Sequence, residues 1–68
     1  MIISQQQRGL VAAGHSVMLW NHNPAQPYQV GQIEMIEGLN LTVTGTALVG
    51  LDGNRYQRVT VVLSEIQP

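Results

Sequence analysis

Two acid–glycine pairs, each placed between long β-branched stretches, constrain this chain more than any other feature. Glu37-Gly38 and Asp52-Gly53 both interrupt runs rich in Val, Ile, Leu and Thr. A glycine that can adopt a left-handed conformation between two such runs is typical of a β-hairpin. The pattern therefore predicts three consecutive antiparallel strands, Gln29 to Met35, Leu39 to Val49 and Asn54 to Glu65.

The parity of the hydrophobic positions then selects a loop length. Ile33, Leu41 and Leu63 are all odd-numbered, and only a three-residue loop pairs odd positions with odd ones. We therefore predict the loops Ile36-Glu37-Gly38 and Leu51-Asp52-Gly53, each with its Gly at positive φ. The expected inner face consists of the rows Gly31-Val43-Val61 (with Gly45 facing Val59), Ile33-Leu41-Leu63 and Met35-Leu39.

The opposite face is expected to be flat, nearly neutral and rich in threonine. Its predicted rows are Tyr28-Thr46-Arg58, Val30-Thr44-Thr60, Gln32-Thr42-Val62 and Glu34-Asn40-Ser64, with Leu48 beside Tyr56. A solvated face of an antiparallel sheet usually alternates to charged residues. The scarcity of charge here favours a face that contacts protein.

The first third of the chain is more ambiguous. His15 to Asn21 predicts a strand whose apolar run should be covered on both faces, with Trp20 in the core. Ser4 and Gln7 have the spacing of a capping box and Gly14 could close a short helix. A nine-residue helix that contains a glycine is marginal, so a strand over residues 1–4 followed by irregular chain is the favoured alternative. Residues 21–27, with two prolines, predict a loop.

Together these elements predict one all-β domain over residues 1–68. The expected fold is a small antiparallel β-barrel or strongly bent sheet of four or five strands, of SH3-like or OB-like size, with or without a short N-terminal helix. The run Gly14 to Leu19, the loop after it and Val30 to Ile33 resemble the opening of SH3-like small barrels. That resemblance covers residues 14–33, implies a barrel and carries over no functional residue.

The composition and net charge of the chain narrow the classes of partner that it is expected to bind. The chain has seven charged residues against twelve Asn and Gln, no cysteine and a net charge of −1, so binding to nucleic acid is disfavoured. A domain this small often needs a partner subunit for stability, and the expected partner is a second copy or another protein of an assembly. The sequence shows no signal peptide and no membrane segment, which predicts a cytoplasmic or virion-associated protein.

Residues that could perform chemistry are scattered. His15 and His22 lie seven residues apart along one extended strand, roughly 20 Å or more from each other, so no metal site, cofactor or catalytic residue is predicted. Binding candidates are Tyr28, Tyr56, Arg55 and Arg58, because Tyr and Arg are enriched at binding hot spots. His22 joins them as a residue that assembly could concentrate between subunits.

Three function hypotheses follow. The leading one is a non-enzymatic structural or interaction module that acts as a homo-oligomer or as an accessory subunit of a larger assembly. The alternative is an SH3-like or OB-like module that binds single-stranded nucleic acid or a peptide. The third is a small oligomeric enzyme with a site between subunits.

Overall fold

The computed structural model describes residues 1–23 and 25–64, which form a short helix followed by a four-stranded antiparallel sheet. The elements are α1 (Gln5–Ala12), β1 (Val17–Asn21), β2 (Ile33–Ile36), β3 (Leu39–Leu51) and β4 (Asn54–Leu63). The strand order is β1-β4-β3-β2, and the sheet curls into a half-barrel. This confirms the mostly β fold, the bent sheet and the short N-terminal helix. Pro24 and Glu65, assigned above to a loop and a strand end, lie outside the described residues.

Helix α1 is stabilised by capping hydrogen bonds at both of its ends. The Ser4 hydroxyl accepts a hydrogen bond from the Gln7 backbone N–H (3.1 Å), and the Gln7 side chain accepts one from the Ser4 N–H (3.0 Å). At the other end Gly14 has φ +99°, and the N–H of His15 donates to the Leu10 carbonyl (3.0 Å) in a Schellman closure. The preference for a strand over residues 1–4 is therefore wrong, because capping outweighs the low propensity of Gly9.

The β2–β3 turn corrects the first predicted loop. Ile36 pairs with Leu39, so the turn has only two residues, and both have positive φ: Glu37 at 51° and Gly38 at 80°. This is the conformation of a type I′ turn, whose twist matches that of the strands it joins. The one-residue slip reverses the faces of β2. Ile36 is buried, whereas Ile33 and Met35, predicted to be inside, are exposed.

The β3–β4 turn is also one residue shorter than predicted, but the core residues Leu41 and Val43 still pair with their predicted partners on β4. Asp52 and Gly53, at φ 50° and 77°, form a two-residue turn between Leu51 and Asn54. Val43 nevertheless pairs with Val61 and Leu41 with Leu63, because the register shifts by one between Val43 and Gly45. This β-bulge adds the residue that the loop lacks. Beyond it Gly45 faces Thr60, so its predicted pairing with Val59 is wrong.

A second irregularity ends the pairing of β2 with β3. The Gly31 N–H donates to the Val43 carbonyl (2.8 Å), and the Val43 N–H donates to the Gln32 carbonyl (2.9 Å). With Gly31 at φ +94°, two residues oppose one, which is a bulge that requires glycine. The chain before Gly31 therefore leaves the edge of β3.

The core lies between α1 and one face of the sheet, the core face. Its buried apolar members are Ile3, Val11, Val17, Leu19, Ile36, Leu41, Val43, Val59 and Val61. Arg8 ties the helix to the β2–β3 turn through a hydrogen bond from its Nε to the Glu37 carbonyl (3.1 Å). Strand β1 is covered on this face alone. Met18 and Trp20 lie on the other side and are exposed, so the prediction that Trp20 belongs to the core is wrong.

Candidate binding surfaces on an open sheet

The sheet face away from α1, called here the open face, has no other element packed on it among the described residues. Strand alternation places four large apolar side chains there: Met18, Trp20, Ile33 and Met35. Met35 is 67% exposed and Trp20 38% exposed. The rows between these two edges carry the pairs Thr42–Val62 and Gly45–Thr60. The open face therefore has apolar margins and a small, mostly neutral centre.

An aromatic cluster lies at one end of the open face. The ring of Tyr56 meets that of Trp20 edge-on at 6.5 Å between centroids and that of His22 at 5.3 Å. Arg58 pairs directly with Trp20 across β1 and β4. The cluster thus brings together three of the predicted binding residues, His22, Tyr56 and Arg58, and adds Trp20.

The other two candidates lie elsewhere. Arg55 pairs with Gly50 close to the β3–β4 turn. Because neighbouring residues of a strand point to opposite faces, Arg55 lies on the core-face side when Tyr56 lies on the open face. Tyr28 packs against the core cluster. The predicted row Tyr28-Thr46-Arg58 is therefore absent, since Thr46 pairs with Val59 and Arg58 with Ala47.

A buried glutamine holds Tyr28 in place. The Gln57 Oε1 accepts hydrogen bonds from the Tyr28 N–H (2.8 Å) and from Asn21 Nδ2 (3.0 Å), while Gln57 Nε2 donates to the Tyr28 carbonyl (2.7 Å). Asn21 extends this network to the Gln26 carbonyl (3.0 Å). Burial raises the pKa of the Tyr28 hydroxyl, and the negative charge of Glu34 raises it further. Sequence reasoning missed the role of Gln57, because an isolated Gln in a strand does not reveal which main chain it binds.

The β3–β4 hairpin extends beyond its neighbours on both sides. Strand β1 reaches β4 only as far as Gln57, and β2 reaches β3 only as far as Thr42, with the bulge at Val43 beyond it. Residues 45–56, called here the arm, therefore extend past β2, and from Val49 to Tyr56 the arm consists of two strands that pair only with each other. The protein is accordingly elongated, with extents of 44 × 23 × 16 Å. Leu48 and Leu51 on the arm are both exposed.

Neither a pocket nor a metal site occurs in the part of the chain that the structure describes. No cavity opens between the elements of residues 1–23 and 25–64, and no three His, Asp or Glu side chains within these ranges approach one another closely enough to hold a metal ion. No described helix is long and apolar enough to cross a membrane.

Comparison with protein families, with curated proteins and with solved structures found no match to this chain. Of the residues predicted to bind, His22, Tyr56 and Arg58 lie in the aromatic cluster. Three residues predicted to be in the core are instead exposed: Trp20, Ile33 and Met35. Alternation in β1 could have indicated Trp20, because Val17, Leu19 and Asn21 share the opposite face.

Proposed function

We propose that this protein is a non-enzymatic structural or interaction module that acts as a homo-oligomer or as an accessory subunit of a larger assembly. The observation that carries the proposal is the open face, where Met18, Trp20, Ile33 and Met35 are exposed together on one side of the sheet. Apolar patches exposed at both margins of one sheet face are the kind of surface that protein–protein contacts commonly cover. A partner bound to the open face would leave both faces of the sheet covered by protein.

The size and charge of the chain support the same proposal. A chain of 68 residues buries a smaller fraction of its surface than a larger domain does, so its stability from one core is limited. The open face offers little electrostatic repulsion to a neighbour, because Arg58 is the one charged residue among its paired positions in β1, β3 and β4. Association would add a second buried layer to the sheet.

Sedimentation velocity on the wild-type protein and on matched charge variants tests the proposal. Wild type should sediment as an oligomer at micromolar concentration, and Met35→Lys should reduce the association constant at least tenfold. Glu37→Lys, in the adjacent turn, should leave it unchanged and serves as the control. Folding coupled to assembly should also raise the melting temperature with protein concentration. A 7.4 kDa monomer whose melting temperature is independent of concentration would refute self-association.

The aromatic cluster favours a second candidate function, the binding of single-stranded nucleic acid. An aromatic group with an adjacent Arg on an exposed sheet is suited to stack unpaired bases. Trp20 is the only tryptophan, so its fluorescence reports binding directly. An oligonucleotide should quench it, and Arg58→Ala should weaken binding about tenfold, a loss within the range for one stacked base. Arg55→Ala, on the core-face side of the arm, is the control, and salt-independent binding or none would reject this function.

A further inference from the structure

One edge of the arm presents main-chain groups with no partner strand among the described residues. From Gly45 to Leu51, β3 pairs with β4 alone. Leu51 and Asn54 close the two-residue turn, and in an antiparallel ladder only every second pair exchanges hydrogen bonds. Counting back from that pair, the N–H and C=O groups of Thr46, Leu48 and Gly50 point away from β4. They form a short hydrogen-bonding template along the free edge.

This edge lacks the usual protection against pairing. Natural edge strands are commonly guarded by charged residues or proline, but the 13 residues of β3 include neither. The other edges of the sheet differ. On the β1 edge, the Met18 carbonyl accepts a hydrogen bond from Gln7 Nε2 (3.0 Å). On the far edge of the arm, β4 carries Arg55. The terminal strand β2 has only four residues and carries Glu34. The β3 edge is thus the one best suited to accept another strand.

We propose that the free edge of β3 pairs antiparallel with the same edge of a second copy of this chain. Two-fold pairing brings two identical strands side by side, so charged residues near the axis would lie opposite or close to their own images. An uncharged strand has no such penalty. The free stretch runs from Gly45 to Leu51, and pairing centred on its midpoint, Leu48, uses all of it. Leu48, which is 68% exposed, then packs against its own image.

This inference rests on the proposed self-association and adds an edge-to-edge contact to the covering of the open face. An antiparallel two-fold contact between edges requires an axis perpendicular to the sheet. The two open faces then lie on the same side of one continuous sheet of eight strands, twice the four in one chain. The dimer would present a double open face to further copies or to other proteins of an assembly.

Single cysteines test the register, because the chain contains no cysteine of its own. In the proposed pairing the two copies of residue 48 form a hydrogen-bonded pair with Cα atoms about 5.5 Å apart, within disulfide range. Leu48→Cys should therefore form a covalent dimer under mild oxidation. Leu51→Cys is the control, since residue 51 lies opposite residue 45 and roughly 20 Å from its own image. Equal cross-linking of both variants, or none at position 48, would overturn the register.

Proline variants test the main-chain hydrogen bonds of the edge. Leu48→Pro removes a donor that faces the free edge and leaves the β3–β4 ladder intact, so it should weaken dimerisation at least tenfold in sedimentation. Arg55→Pro is the control, because its N–H faces the other edge of the arm. An equal effect of both variants, or none from Leu48→Pro, would overturn the edge contact while an oligomeric wild type still supports the proposed function. A monomeric wild type would overturn both.

Discussion

Replacing Gln57 with leucine tests whether one buried amide fixes the path of the loop before β2. Gln57 is 5% exposed, and its side chain makes three hydrogen bonds, two to the Tyr28 main chain and one to Asn21. At roughly 0.5–1.5 kcal/mol net for each bond, their loss sums to about 1.5–4.5 kcal/mol. Leucine recovers part of this through apolar burial, and water can reach the half-buried Tyr28. We therefore expect a loss of about 2 kcal/mol for Gln57→Leu.

The assay is a reversible denaturant titration at one fixed protein concentration, because self-association would otherwise add to the measured stability. Hydrogen exchange at the Tyr28 amide gives a local readout, since that N–H donates to Gln57 Oε1. The exchange should accelerate in Gln57→Leu. Gln29→Leu, at an exposed position, should change stability by no more than about 0.5 kcal/mol. A loss below about 0.5 kcal/mol for Gln57→Leu, with unchanged exchange, would refute the proposed role of the network.

The remaining predictions concern the core, a turn and an ionisation. Leu41→Ala, at a fully buried site, should cost about 2–5 kcal/mol in a denaturant titration, whereas the exposed Met35→Ala should cost less than about 0.5 kcal/mol; similar losses would contradict the observed register. Gly53→Val should cost about 1–2 kcal/mol in the same titration, because the glycine has φ +77°, and no loss would argue against the type I′ turn. Burial, and then the charge of Glu34, raise the pKa of the Tyr28 hydroxyl in the folded protein above 10.0. The neutral Tyr28 hydroxyl therefore makes its full contribution to stability below about pH 10, and that contribution is lost as the pH rises through the folded pKa. Glu34→Gln should lower that pKa in an ultraviolet titration, and no change would exclude the influence of Glu34.

The hairpins could be predicted from the sequence because turn chemistry is local. Glu37-Gly38 and Asp52-Gly53 supply the two residues that tolerate positive φ, and both turns form where the pattern indicated. The capping residues of α1 were equally readable, since the capping bonds join Ser4 and Gln7, which lie only three residues apart. The prediction of a strand over the first residues was wrong, because the capping bonds outweigh the low helix propensity of Gly9.

The register could not be settled by parity alone, because two different backbones give the same pairing in the core. A three-residue loop and a two-residue loop followed by a bulge both bring Val43 opposite Val61. The bulge lies at Thr44, next to Gly45, and a glycine inside a strand is a signal for a bulge that parity alone does not use. In β2 no bulge lies between the turn and Ile33, so the shorter loop turned Ile33 and Met35 outward.

The same slip explains why Ile33 and Met35, predicted to lie in the core, are exposed on the open face. In β2 the sequence supplies Ile33 and Met35 on one face and Ile36 on the other, so either register leaves apolar side chains outside. In β1, Met18 and Trp20 likewise oppose Val17 and Leu19. Strands with apolar residues on both faces are typical of sheets covered on both sides, but α1 is short and covers one. The excess of apolar residues over what this fold can bury is thus the physical reason to expect a second layer, and a further copy of the chain would supply it.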